Sequence, residues 1–163
     1  MIVSPLFRRS ALLAILIGCL LSPTVITTAD AGTKYRFKHG ERCFMRKINR
    51  VRVRHGLRRL ERDKQLGYVA RIHAREMAYY RSVWDDSYLG RRVTNWRSLG
   101  TNAGRGAGCK VLTRAFLDSW PHRINILGHF RYMGVGVAWY NGNMYVSQNF
   151  ESRFNPGNIY RWP

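Results

Sequence analysis

In the stretch SWPHRINIL, Ser119 to Leu127, one histidine stands three residues after a serine and three before an asparagine. An imidazole titrates near neutrality, so His122 could act as a general base or a metal ligand. Ser119 would be a nucleophile only if that base activated it. The strand-turn-helix signature G-x-S-x-G is absent and no oxyanion donors can be identified, which argues against a serine hydrolase. General acid-base work also needs a second group in the complementary role, and SWPHRINIL itself contains no carboxylate. A purely structural role for His122 is to fix the corner between two helical segments. Cys43 and Cys109 are the two cysteines past the apolar N-terminal segment. A cysteine nucleophile or metal ligand is one reading; in an exported chain, a disulfide is the simpler one.

The elements around these residues follow from spacing. Phe44, Ile48, Val51 and His55 recur at helical intervals in ERCFMRKINRVRVRHG, and Gly56 suits the helix end. Asp63 reads as the N-cap of a second helix whose buried stripe is Leu66, Val69, Ala70, His73, Met77 and Tyr80. On that stripe His73 reads as a hydrogen-bonded core residue rather than a ligand. Glycine, asparagine and aspartate dominate from Trp84 to Gly108, so a loop-rich segment wrapping a cleft is expected there. Val111, Leu112, Ala115 and Phe116 mark a third helix ending before Pro121, which suits the first turn of the next. Asn141-Gly142 between YMGVGVAWY and NMYVSQNFE predicts a β-hairpin. Gly134, Gly136 and Ala138 share one face of its first strand, small enough for a helix to pack closely. Helices followed by a hairpin imply α+β layers.

The N-terminus reads as a targeting segment. Arg8 and Arg9 precede ALLAILIGCLL, and Ala29-Asp30-Ala31 is a small-x-small cleavage signature, so residues 1–31 are expected to be a signal peptide. Leu16-Ile17-Gly18-Cys19 is a rival lipoprotein box, but the residues after Cys19 stay apolar. RRSALL lacks most of a twin-arginine signal. Removing 1–31 takes two arginines and one aspartate from the 28 basic and 9 acidic residues, leaving a net charge of +18 on 132 residues. That charge attracts polyanions. The full sequence has 23 arginines and 5 lysines spread along it, with no basic tract interleaved with aromatics. Specific nucleic-acid recognition is not expected, although nonspecific binding is compatible with the charge.

The ordered pieces INRVRVRHGLRRL, YVARIHAREMA, SLGTNAGRG, SWPHRINIL, MGVGVAW and YVSQNF resemble the bacterial CAP domain, of the cysteine-rich secretory, antigen 5 and pathogenesis-related superfamily. The resemblance runs from Cys43 to Phe150, and FNPGN at 154–158 is similar to the tail of a second family signature. It implies a three-layer α-β-α sandwich with a mainly antiparallel sheet and a cleft where two histidines and one or two glutamates can hold a divalent metal. With the N-terminal reading, the expected division is a signal peptide (1–31), a basic leader (32–42), the domain (43–158) and a short tail (159–163). His122 matches the family's last histidine, with Arg123, Asn125, Ile126 and Leu127 in place, while Pro121 replaces a glycine. Thr101, before Asn102, stands at the glutamate position, and Asp85 falls at the first histidine position. Asp118 lies near a second acidic position without a secure alignment.

Zinc requires three or four N, S or carboxylate ligands at one point. Threonine at 101 and aspartate at 85 leave too few, so no metal or other cofactor is expected. The cleft is expected to be lined by His122, Asp85, Thr101, Asn102 and Asn125, with His122 hydrogen-bonded near Asp85 or Asn102. The expected function is a secreted, non-enzymatic, monomeric domain without a transmembrane segment, binding an anionic lipid or envelope polymer. A residual hydrolase with His122 as base and Asp85 as its orienter is the alternative.

Overall fold

Caps and periodicity set the elements of the computed structural model, which describes residues 38–152. The expected signal peptide with Cys19, the leader to residue 37, FNPGN and the tail lie outside the described residues. The first helix, α1, spans His39–Arg54 and therefore begins inside the expected leader. Glu41 explains this start: its carboxylate accepts a hydrogen bond from the Lys38 backbone N–H at 2.8 Å and pairs with Arg71. Phe44 and Ile48 are buried as expected, but Arg52 is buried in the last turns while His55 is exposed. The Arg52 guanidinium donates to the carbonyls of Arg58, Ile126, Gly128 and Phe130, so its burial is offset by four acceptors.

After β1 (Glu61–Arg62), Asp63 caps α2 (Lys64–Tyr80) by accepting from the Leu66 N–H at 2.9 Å. The stripe Leu66, Val69, Ala70, His73 and Met77 is buried, but Tyr80 is 67% exposed. It sits in the helix's final turn, where the left-handed Arg81 turns the chain away. The segment expected to be loop contains a short helix, α3 (Leu89–Arg92), and a nine-residue strand, β2 (Ser98–Gly106). Its glycines look loop-forming in isolation, yet Gly104 and Gly106 lie under Phe116 and Leu112, where an added Cβ would come within 2.8 and 3.0 Å. Close packing, not a turn, explains glycine there.

Next come α4 (Cys109–Asp118) and α5 (Trp120–Leu127), then β3 (Tyr132–Tyr140) and β4 (Asn143–Ser152). The β3–β4 turn has φ of 45° at Asn141 and 71° at Gly142, the positive pair a type I′ turn requires. The sheet order is β1-β3-β4-β2, with β1 parallel to β3 and the other pairs antiparallel. An α+β architecture results, with helices packed on the two faces of a mixed, mostly antiparallel sheet. One face meets α2: a Cβ at Gly134 or Gly136 would lie 2.1 Å from its backbone. The other carries Met133, Val135 and Val137 into a core with Phe44, Ile48, Leu112, Phe116 and Ile126. A disulfide joins Cys43 to Cys109, tying α1 to α4. By loop-closure entropy, such a tie stabilises by about 4 kcal/mol.

Candidate functional site

Adjacent residues of a strand point to opposite faces, and this separates the candidate residues into two groups. On the face shared with α4 and α5, Asn102 is fully buried. Its Nδ2 donates to the His122 carbonyl and to Gln148 Oε1, both at 3.2 Å. Asn125 Nδ2 donates to the Thr101 carbonyl and to Asn102 Oδ1, each at 2.9 Å. Gly100 makes room for this amide, since a Cβ there would lie 2.6 Å from Asn125 Oδ1. Ser119, in extended conformation with φ of −91°, precedes α5, and its Oγ lies 2.8 Å from His122 Nδ1. The half-buried His122 ring packs on Phe116 with centroids 4.9 Å apart. Within this group His122, Asn102 and Asn125 are joined by hydrogen bonds through Asn102. Gln148 joins them unforeseen, and its buried Nε2 has no partner among the described residues.

Thr101 turns the other way. Its Oγ1 donates to Asn149 Oδ1 at 3.2 Å, and Ser147 Oγ donates to the same oxygen at 3.4 Å. His73, 1% exposed, places Nδ1 3.2 Å from Ser147 Oγ. Which atom donates in the His73–Ser147 hydrogen bond follows from the histidine tautomer. His73 Nε2 and Asn149 Nδ2 are buried without a hydrogen-bond partner. Trp84 meets the His73 ring edge-on at 5.5 Å. Desolvation by burial lowers the His73 pKa; Asp86, Glu76 and Asp85 oppose this and Arg92 adds to it.

Asp85 is exposed and stands next to Trp84, on the α2 side, where it acts on His73 through charge. It is not hydrogen-bonded to His122, which lies with Asn102 and Phe116 across the sheet. The sequence reading missed the chain Thr101–Asn149–Ser147–His73, although two signals pointed to it. His73 lay on the buried helix stripe, and the alternation in YVSQNF puts Ser147 and Asn149 on the glycine-lined face.

The donor set does not fit a metal centre. The atoms around His122 are amides, carbonyls and a hydroxyl, poor zinc ligands, and Nδ1 is already engaged by Ser119. Among the described residues no group of three His, Cys, Asp or Glu side chains could hold a metal ion. The arrangement can fix the α4–α5 corner to β2 and present one imidazole edge.

Sheet order and helix layers together define a class of α+β sandwich that solved structures share. An outer surface protein of Borrelia burgdorferi superposes with a TM-score of 0.63 at 16% identity, covering 69% of this chain and 91% of its own. An extracellular SCP-domain protein of Bacillus anthracis gives 0.57 at 28% identity, covering 69% of this chain and 41% of that one. A cysteine-rich secretory protein of Staphylococcus aureus gives 0.57 at 20% identity, covering 73% and 41%. This chain thus spans about two fifths of the length of the latter two. No curated protein matches it. Residues 45–150 match the cysteine-rich secretory protein (CAP) family, and the chain belongs to that family.

Proposed function

We propose that this is an exported, non-enzymatic CAP domain that binds an anionic lipid or envelope polymer through its positive charge. The observation that carries this reading is the pairing of a net charge of +18 on residues 32–163 with a site of amides, hydroxyls and one imidazole. Export is supported by the N-terminal signal pattern and by the extracellular or secretory relatives named above. No helix among the described residues is long and apolar enough to cross a membrane. Attraction between surface charges is screened within about 8 Å at physiological salt, so binding should fall steeply as salt rises. Co-sedimentation of the mature protein with anionic vesicles and with isolated envelope polymer, at low and high salt, tests this. Capture at low salt and release at high salt is expected; binding indifferent to salt would refute the charge argument.

A further inference from the structure

The last turn of α2 carries Tyr79 and Tyr80, 78% and 67% exposed, with ring centroids 5.0 Å apart. Tyr80 lies 6.1 Å from Trp84, itself 38% exposed, and Val83 between them is 41% exposed. Beside this row, the Arg81 guanidinium sits 5.0 Å over the ring of Tyr140, next to the β3–β4 turn. The base is firm: Met77 and Ala78 are buried beneath, and Tyr140 packs against their cluster. Isolated exposed apolar residues need no explanation, but a contiguous row of linked rings does. Helix periodicity does not require Tyr79, since the buried stripe is already complete through Met77.

We propose that Tyr79, Tyr80, Val83, Trp84 and Arg81 form a patch that docks the protein onto an anionic lipid bilayer. Tyrosine and tryptophan join an apolar body to a polar tip, the combination that partitions to the headgroup level of a membrane. Arginine is weakly hydrated and meets lipid phosphate in a bidentate manner. Of the nearby carboxylates, Asp86 and Glu76 face Arg92, which leaves Asp85 as the exposed one. The excess positive charge of the whole chain supplies the long-range attraction to a negative surface. A polymer without an apolar layer would use the charge and leave the rings in water, which is why the bilayer is the better fit. The inference rests on the binding reading above and narrows it to one target and one surface.

The test is co-sedimentation with vesicles of phosphatidylglycerol and phosphatidylcholine, with pure phosphatidylcholine vesicles and isolated envelope polymer in parallel. Wild type is compared with Tyr79→Ser/Tyr80→Ser and with Arg81→Asn, asparagine being chosen because it tolerates the left-handed backbone there. The double variant should lose about tenfold or more in affinity for the anionic vesicles with an unchanged thermal midpoint. Arg81→Asn should lose about fivefold. Unchanged vesicle affinity in both variants would overturn the patch while leaving charge-driven binding intact. Capture by polymer but not by vesicles would overturn the bilayer as target; capture by neither would remove the binding reading as well. Equal affinity for anionic and neutral vesicles would overturn the role given to charge.

Discussion

On the face that meets α2, Gly134 and Gly136 bring backbone against backbone, and the polar residues form one chain ending at a buried imidazole. On the face that meets α1, α4 and α5, bulky side chains interdigitate, a disulfide crosses the layer, and an amide network fastens the α4–α5 corner. Among the described residues the first face leaves His73 Nε2 and Asn149 Nδ2 buried without partners, and the second leaves Gln148 Nε2. Proximity without side chains gives fit but little adaptability, whereas side-chain packing can yield at a flexible end. The difference separates the candidate site residues: Thr101 and Asp85 belong to the first face, His122, Asn102 and Asn125 to the second.

The largest effect should come from breaking the second face's cross-link. Replacing Cys43 and Cys109 with serine should cost about 4 kcal/mol in denaturant unfolding. Gly136→Ala comes next, with about 3 kcal/mol expected, because the new Cβ meets the α2 backbone at 2.1 Å. Gly104→Ala sharpens the contrast: the obstacle there is the far end of the Phe116 ring at 2.8 Å, so a smaller loss is expected. Equal losses at the two glycines would show that the faces do not differ in adaptability. Asn102→Ala should cost about 2 kcal/mol by removing one of the two acceptors of the Asn125 amide and the donor to Gln148 Oε1, as measured by thermal denaturation.

His73 adds a pH dependence confined to the first face. Because burial holds its folded pKa below the ordinary value near 6.5, the unfolded chain takes up the proton first on acidification. Its contribution is therefore complete above about pH 6.5 and is lost as pH falls below that value. His73→Gln should flatten the fall of the thermal midpoint between neutral and mildly acid buffer. An unaltered slope would mean that other groups set it.

These contrasts also explain what could be read in advance. The Asp63 cap, the Asn141-Gly142 turn, the glycine face of β3 and the corner at Pro121 each have a local cause, and each was legible. β2 was not, because SLGTNAGRG has poor intrinsic strand preference and owes its form to β4 beside it and Phe116 above. Missing that strand hid the parity that turns Thr101 away from Asn102. Arg52 and Tyr80 escaped for the opposite reason: a charged residue is buried by distant carbonyls, and an aromatic is exposed where a helix ends. The family resemblance set Asp85 and His122 in one cleft by analogy, and no residue between them records on which side of the sheet each one falls.

Under the proposed function His122 serves the fold and binding rests on charge. His122→Ala tests it most directly, with thermal stability, envelope binding and hydrolytic activity toward ester and amide substrates measured on the same preparation. A loss of about 1 kcal/mol from the Ser119 and Phe116 contacts is expected, with salt-sensitive binding retained. Unchanged stability together with loss of a wild-type hydrolytic activity would contradict it.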